Sequence, residues 1–559
     1  MQQRILAMLF AIVLIGTFFF IVKTSTLNAD MLLVNGAVYT LDEHNTVAQA
    51  IAISGDKIVA TGSTGELMRR YPGVMAIDLK GKTVLPGLTD GHAHILGEGS
   101  RIFNLDLVGT TSPQQIAEIV AKRAAEVPAG SWIMGRGWDQ NDWDVKEFPT
   151  KELLDNAAPN NPVKLRRVDG HADWVNSKVL ELAGINATTP DTTGGKIVRD
   201  ASGNPTGVLI DNASDLLDKA VPKLTNEDVE QRLIAALNEC ASLGLTQVHD
   251  MGVDLQTIAV MKKIIDEGKC PIRIYALIGG AGETWNYYLM KGPELGYGNN
   301  MLNVRGIKMY IDGALGSRGA ALLDDYSDDP GNKGLTVNTE EQLEAVCRQA
   351  IEHGFQVCTH AIGDRGNNIV LNVYEKVMKK NSKDSHFLRW RIEHCQVLQP
   401  SDIPRFAELG IIPAMQPTHA TSDMYWAEAR LGQERVKYAY AWRSLLEAGS
   451  IIVGGSDFPV ESVNPLLGFY AGATRSDVKG YPADGWHREQ KMTREESARA
   501  FSQWAAYGSF EEQTKGTIEV GKWADLTILS KDIMTIPDQE ILSANVEMTI
   551  VGGKIVFQK

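Results

Sequence analysis

Histidine and aspartate side chains follow several short apolar runs of this sequence. The first run ends in DGHAH, where His92 and His94 are two residues apart. Because side chains alternate along a strand, both imidazoles would lie on the same face. Later runs end in CTHAIGD, RIEHCQ and GGSDFP, which supply His360, His394 and Asp457. Imidazole and carboxylate donors together favour zinc or another divalent transition metal over calcium or magnesium, so the pattern predicts a metal site.

Lys308 is a further candidate, because it lies in the otherwise apolar run IKMYID. A charged amine that faces a barrel interior is costly unless it is paired or modified. The alternative is a lysine near a strand end that extends its amine into solvent. The sequence pattern leaves both interpretations open.

These candidates must be positioned by the long central part of the chain, residues 87–505. β-type runs alternate there with helical segments; the runs include 244–250, 272–278, 307–312, 355–361, 390–397, 411–417 and 451–457, and the helical segments include 226–244 and 339–354. This alternation predicts βα units and a parallel sheet that closes into a barrel. The runs are apolar on both faces, as expected of strands covered by helices. Polar residues that end such strands would meet at one end of the barrel.

Two other parts of the chain have a different texture. Residues 31–86 and 506–559 contain short β runs with tight turns, and they predict one small β domain built from both chain ends. Residues 97–240 fit the barrel rhythm less well and predict a subdomain inserted after the first barrel strand, over the site. This insertion contains four tryptophans that would either line an aromatic-tolerant pocket or form a core: Trp132, Trp138, Trp143 and Trp174.

The composition excludes several classes of protein. With 44% hydrophobic and 22% charged residues, the chain has an ordinary globular composition, which excludes disorder or a coiled coil as its main state. The formal net charge of −14 argues against a nucleic-acid partner, because phosphate binding needs a basic patch. Five cysteines without a CxxC pair predict neither a disulfide scaffold nor a zinc ribbon.

Residues 1–30 are predicted to be a signal peptide or a membrane anchor. Residues 5–22 carry no charge, Arg4 precedes them and Lys23 follows. At about 1.5 Å per residue, such a helix is just long enough to span a bilayer. Ala29 offers a small residue for cleavage, but Leu27 fits the −3 position poorly, which favours an anchor. Either form predicts export, with the body of the protein membrane-anchored, periplasmic or extracellular.

Taken together, the motifs resemble those of a known family. The segments PGLTDGHAH, IKMYIDGALGSR, THAIGD, RIEHCQ and GSDFP are similar to the amidohydrolase superfamily, and in detail to amidohydrolase family 3, which includes N-substituted formamide deformylases. The closing segment GTIEVGKWADLTIL resembles the end of the same group. The resemblance covers nearly all of residues 31–559 and implies an α/β fold, a distorted TIM (β/α)8 barrel flanked by a small β-sandwich domain.

The resemblance also implies roles for individual residues. The metal ligands would be His92, His94, Lys308, His360, His394 and Asp457. A carboxylated lysine on the fourth strand would bridge two metals, so one or two ions, most readily zinc, are expected. Two runs, 272–278 and 307–312, compete for that fourth position. His171 would lie in the substrate pocket, while Asp312 and Arg318 could orient the lysine and bind a substrate anion. A structural histidine, for His171 and also for His249, and a plain loop charge, for Arg318, remain the alternatives.

The predicted function is a metal-dependent hydrolase that cleaves a carbon–nitrogen bond of amide type, other than a peptide bond. A divalent metal lowers the pKa of bound water from 15.7 to about 7, which gives a hydroxide that attacks the carbonyl. By the same resemblance, Asp457 is both a ligand and the proton shuttle to the leaving amine. The expected partner is a small amide-type molecule. Whether the protein forms a homodimer is left open by the sequence.

Three alternatives remain at this point. The same site could deaminate a ring or hydrolyse a cyclic amide, because the metal ligands alone do not separate these reactions. The chain could instead be a non-catalytic exported binding protein, which the retention of Asp457 disfavours because binding alone needs no proton shuttle. The third alternative is a regulatory protein of exoenzyme production. The acidic chain lacks a DNA-binding motif, which argues against direct gene regulation.

Overall fold

The computed structural model describes residues 28–381 and 385–559. The apolar segment 5–22, on which the predicted signal peptide or anchor depends, lies outside the described residues. Within the described ranges, no helix combines the length and the apolar character that a membrane crossing requires.

Eight parallel strands form the central sheet. In chain order they are β1 (Leu88–Ala93), β2 (Leu245–Val253), β3 (Arg273–Gly279), β4 (Leu302–Tyr310), β5 (Gln356–Ala361), β6 (Arg391–His394), β7 (Ile412–Met415) and β8 (Val453–Gly454). Spatial neighbours are sequence neighbours from β1 to β8, and every one of these pairs is parallel. A short strand, Glu294–Gly296, adds to β4 in antiparallel orientation. The predicted barrel is therefore confirmed, with nearly continuous burial along its strands.

The barrel closes where β8 meets β1. The Asp457 amide donates to the His92 carbonyl at 2.7 Å, and the His94 amide donates to the Phe458 carbonyl at 2.9 Å. This approach requires glycine, because a Cβ on Gly455 would lie 2.6 Å from the His92 nitrogen. Closure thus brings the DGHAH and GGSDFP segments side by side.

Helices cover the outside of the barrel. Those that precede or follow its strands are Ile95–Phe103, Asn226–Ser242, Leu255–Asp266, Glu283–Lys291, Tyr297–Asn300, Glu340–His353, Asp364–Asn381, Ile403–Leu409, Pro417–Asp423, Ala427–Arg435, Trp442–Glu447, Pro465–Thr474, Arg494–Ala500 and Gln503–Gly508. The sequence sets clear ends: Thr339 begins its helix with a capping box to Gln342, and Gly354 ends it at a φ of 80°. The apolar faces of these helices pack with the strands into one large core.

The two ends of the chain form two further sheets. One contains Lys57–Gly62, Ala50–Ser54, Met31–Val34 and Met75–Asp78 in that spatial order, and the helix Thr64–Arg70 packs beside it. The other contains Lys554–Gln558, Val546–Val551, Leu526–Leu529, Thr83–Pro86, Ala37–Tyr39 and Val47–Ala48. A shared apolar cluster joins the two sheets and includes Leu33, Val84 and Leu526. The exact domain boundaries predicted above stay a prediction.

A six-stranded sheet lies between β1 and β2 in the chain. Its spatial order is Gly195–Arg199, Pro205–Asp211, Ala172–Val175, Val163–Arg167, Ile133–Trp138 and Leu105–Asp106, and the helices Pro113–Glu126, Lys151–Ala157 and Ser177–Ala183 accompany it. We call this part the inserted sheet. Trp138, Trp143 and Trp174 form its core, and Trp132 packs against a second cluster of the same sheet. These tryptophans therefore stabilise the insertion rather than line a pocket.

Candidate active site

The predicted ligands occupy the carboxyl ends of the barrel strands. His92 lies in β1, Lys308 in β4 and His360 in β5, and His394 ends β6. His94 directly follows β1, and Asp457 comes after β8 with Gly455 and Ser456 between them. The competition for the fourth position is resolved, because 273–279 forms β3 and Lys308 lies in β4. All six residues thus reach the end of the barrel where active sites of this architecture are found.

Asp457 is the point where the site converges. Its Oδ1 lies 3.2 Å from His94 Nε2 and 3.5 Å from His92 Nε2, and its Oδ2 lies 3.9 Å from His419 Nε2. The backbone of Asp457 has a φ of 61°, a conformation rare for residues other than glycine and often found at functional sites. Burial opposes ionisation, but the neighbouring His94 holds the pKa of Asp457 below its ordinary value.

His394 lies at the centre of a cluster of four imidazole rings beside this carboxylate. The His394 ring centre lies 4.5 Å from that of His360 and 4.7 Å from that of His92. His419 stacks parallel to His394 at 5.9 Å. Burial, with the neighbouring cations, lowers the pKa of His92, His360 and His394 well below the ordinary value, so these imidazoles are neutral, as a metal ligand requires.

The donor geometry fits a metal. Two overlapping groups have ligand atoms within 4.8 Å of one another, His92 with His94 and Asp457, and His394 with His419 and Asp457. The buried Asp457 Oδ1 and His419 Nε2 have no hydrogen-bond partner among the described residues. Buried polar atoms are costly without a partner, and a cation between them would satisfy both.

Lys308 lies at the centre of the same group. Its Nζ is 3.2 Å from His92 Nε2 and 4.8 Å from the ring centre of Tyr310, and the side chain is buried. The amine therefore faces the barrel interior rather than solvent. Of the two interpretations that the sequence left open, this position favours the functional one.

A buried ion pair between Glu393 and Arg391 orients the ring of His92. Glu393 Oε2 lies 2.5 Å from His92 Nδ1 and accepts a 2.9 Å hydrogen bond from Arg391 Nη2. The same guanidinium donates to the Gly91 carbonyl at 2.6 Å and contacts His249 Nδ1 at 3.0 Å. A carboxylate on Nδ1 directs Nε2 toward the site, an arrangement known from histidine metal ligands. His249 therefore has a hydrogen-bonded structural position in this network.

The inserted sheet brings His171 to the centre. His171 Nδ1 lies 2.7 Å from Asp211 Oδ1, and the rings of His171 and His360 are 5.2 Å apart. Burial disfavours the imidazolium, but the hydrogen bond and charge of Asp211 raise the pKa of His171 above its ordinary value. Asp211 has a strained φ of 49°, and a Cβ on Gly313 would lie 2.8 Å from its carboxylate. The loop after β4 therefore wraps closely around this carboxylate.

Asp312 and Arg318 lie in that loop. Asp312 is fully buried and accepts hydrogen bonds from the backbone amides of Ala321, Ile362 and Gly363 at 2.8–3.0 Å, which fixes the loops after β4 and β5. Burial raises its pKa to about 7. The Arg318 guanidinium pairs with Asp328 at 3.1 Å. The predicted roles of both residues toward substrate stay predictions.

Comparison with known proteins decides the family. Residues 75–557 match the sequence profile of the amidohydrolase family. The chain belongs to this family. It is similar to YtcJ of Bacillus subtilis strain 168, a protein named as an amidohydrolase, with 34% identity over 94% of this chain and 98% of that protein. It is also similar to the N-substituted formamide deformylase of Arthrobacter pascens, with 27% identity over 95% of this chain and 98% of that enzyme.

A solved structure extends the comparison to the fold. A metal-dependent hydrolase from Pyrococcus horikoshii OT3 has a TM-score of 0.72 and 27% identity, and the match covers 91% of this chain and 99% of that one. These findings confirm the family, the barrel fold and a metal-dependent hydrolase acting on carbon–nitrogen bonds. The particular bond, the identity of the metal and the roles of the site residues stay predictions.

Three residues of this amidohydrolase site were not among the sequence candidates. His419 lies in the helix Pro417–Asp423, four residues beyond the end of β7, so it does not directly follow an apolar run. The segment QPTHA, which contains His419, begins within the run 411–417, and this position was the sequence signal that could have identified His419. Glu393 stands next to His394 inside RIEH, where a carboxylate within a strand indicates a buried partner. Asp211 gave no local signal.

Proposed function

We propose that this amidohydrolase cleaves the carbon–nitrogen bond of a small, non-peptide amide at the end of its barrel. The observation that carries the proposal is the convergence of His92, His94, His394 and His419 on the buried carboxylate of Asp457. N-Formyl amides are the first substrates to test, because the N-substituted formamide deformylase is similar to this chain over nearly its whole length.

The residues present fit a divalent metal, with zinc the best match to imidazole and carboxylate donors. His92, His94, His360, His394 and Asp457 would hold it, and the unpartnered atoms of Asp457 and His419 support this assignment. When bound, such an ion polarises a carbonyl and lowers the pKa of water to about 7. We propose that Lys308, if it is carboxylated, provides an anionic bridge for a second ion.

Asp457 is proposed to move the proton. Its pKa is held below the ordinary value, so the carboxylate is ionised and can accept a proton from the attacking water. It then delivers this proton to the leaving nitrogen, which would otherwise depart as an amide anion. His171, oriented by Asp211, lies beside His360 and would hydrogen-bond the substrate.

A substrate panel tests this function. Purified, metal-analysed protein is assayed with N-formyl, N-acyl and cyclic amides and with amino-substituted rings, scoring formate, free amine, ring-opened acid and ammonia separately. The proposal predicts amine release from linear amides that depends on bound metal. Turnover confined to ammonia release or ring opening would instead assign the site to a deaminase or a cyclic-amide hydrolase.

Residues 1–30 are proposed to take the protein to the membrane and across it, as a retained anchor or a cleaved signal. Fractionation of tagged full-length protein would test this location. The proposal predicts recovery with the membrane or outside the cytoplasm. An intact N-terminus in the cytosolic fraction would contradict it.

A further inference from the structure

We propose that Arg136 binds a carboxylate of the substrate, so that the preferred substrates are amides that also carry a carboxylate, such as N-formyl or N-acyl amino acids. This inference rests on the proposed function, because it names the substrate class of the same site. It follows from the position of the Arg136 side chain and from the partners that this side chain has.

Arg136 projects from the inserted sheet into the segment that carries His171. It lies in the strand Ile133–Trp138, and its Nη2 donates to the Val168 carbonyl at 2.7 Å. A Cβ added to Gly170 would lie 3.4 Å from the same Nη2, so the segment passes directly beside the guanidinium. His171 follows at once, with its ring 5.2 Å from that of His360. The guanidinium therefore lies beside the segment that carries His171 into the site.

The charge of Arg136 is not neutralised in the way that other arginines around the site are. Arg167 pairs with Asp139 and with Asp169, the latter at 2.5 Å, and Arg318 pairs with Asp328. Among the described residues, no carboxylate lies within salt-bridge distance of Arg136, and its buried Nε has no hydrogen-bond partner. The site therefore contains a partly buried cation that has no salt-bridge partner among these residues.

The electrostatics agree with this geometry. Burial lowers the pKa of Arg136 to about 10, and the charge of Arg166 acts in the same direction, while the charge of Asp457 and of more distant carboxylates only partly offsets both. An anion bound by Arg136 would remove this imbalance. A planar guanidinium matches a planar carboxylate through paired hydrogen bonds, which selects this anion over a neutral group.

Arg166 offers a matched control. It is the register partner of Arg136 on the neighbouring strand, so both side chains leave the same face of the inserted sheet. Arg166 is exposed and its guanidinium donates to the Gly170 carbonyl at 2.6 and 3.0 Å. Replacing it removes the same charge from the same face but leaves the Arg136 fork in place.

The experiment compares two formamides that differ by one carboxylate, N-formyl-leucine and N-(3-methylbutyl)formamide, by formate release. Wild-type enzyme should prefer N-formyl-leucine. Arg136→Gln should lower kcat/KM for N-formyl-leucine roughly 10- to 100-fold, mainly through KM, and change the neutral amide by less than about 3-fold. Arg166→Gln should preserve the preference, and both variants should retain wild-type metal content.

Several results would overturn the inference. An equal loss of kcat/KM on both amides in Arg136→Gln would mean that Arg136 has a structural role. If Arg166→Gln lowered kcat/KM for N-formyl-leucine as much as Arg136→Gln does, the preference would come from the overall positive charge and not from a contact with Arg136. A wild-type preference for the neutral amide also contradicts it. If neither formamide is hydrolysed, the proposed hydrolysis of formamides is wrong. The role of Arg136 is then tested separately by measuring the binding of N-formyl-leucine by calorimetry. Binding of N-formyl-leucine that Arg136→Gln abolishes supports it, and binding that is absent or unchanged in the variant refutes it.

Discussion

The barrel end and the inserted sheet contribute to the site in different ways. The barrel supplies neutral imidazoles and one ionised carboxylate from strand ends that lie side by side, with Glu393 and Arg391 buried beneath them. The inserted sheet supplies a charged arginine and a histidine–aspartate pair, His171 with Asp211. This division agrees with the proposal that the barrel holds the chemistry while the insertion selects the substrate.

Removing a barrel histidine should have the largest effect. His360→Ala takes away a buried imidazole from the centre of the ring cluster, so bound metal and hydrolysis should both fall to near background. Elemental analysis of the purified variant measures this, and circular dichroism should show that the barrel still folds. His353→Ala is the matched control, because His353 is exposed at the end of a surface helix. Full metal content in His360→Ala would remove this residue from the centre.

Lys308→Ala tests whether the barrel end holds one ion or two. If a carboxylated Lys308 bridges two metals, the variant should retain one ion at most, and a short-chain acid should restore part of the activity by occupying the vacated bridge. Metal stoichiometry with and without added acid measures both effects. A two-metal Lys308→Ala protein, or a structure with an unmodified amine turned away from His360 and His394, would refute the bridging role.

Glu393→Gln should have a smaller effect, through His92. The amide keeps the size of the side chain but no longer fixes the Nδ1–H tautomer, so metal affinity should fall about 10- to 100-fold. Competition with a chelator measures the affinity. Glu352→Gln on the exposed helix surface is the control. Unchanged affinity in a folded Glu393→Gln protein would mean that this carboxylate stabilises the barrel only.

Trp138→Ala should separate the two regions most clearly, with the smallest effect on the metal. The side chain is fully buried in the core of the inserted sheet, and its loss should destabilise that sheet by about 3–5 kcal/mol. Hydrogen exchange of the backbone amides should become faster in the inserted sheet, while metal content stays at the wild-type value. Loss of metal in parallel with loss of the insertion would show that the two regions do not act separately.

The same division explains what the sequence alone could predict. His92, His94, His360, His394 and Asp457 directly follow apolar runs, so local alternation is enough to place them at the barrel end. Lys308 could be assigned to β4 only when the strand order was known.

The missed residues depend on contacts between distant segments. His419 lies on a helix beyond its strand, so the alternation of side chains along a strand does not predict where it points. Asp211 meets His171, 40 residues away, only through the pairing of two antiparallel strands of the inserted sheet. The free charge of Arg136 shows only when the partners of the surrounding arginines are known.

The central claim is that Asp457 moves the proton at a metal centre, and Asp457→Asn tests it most directly. Asparagine keeps the shape and can stay near the metal through its carbonyl oxygen, but it lacks the basic oxygen. With a hydrolysed amide from the panel, the account predicts that kcat falls about 10²- to 10⁴-fold while KM changes little and most metal is retained. Wild-type kcat in a folded, metallated Asp457→Asn enzyme would contradict the account and would make His171 the next candidate for the base.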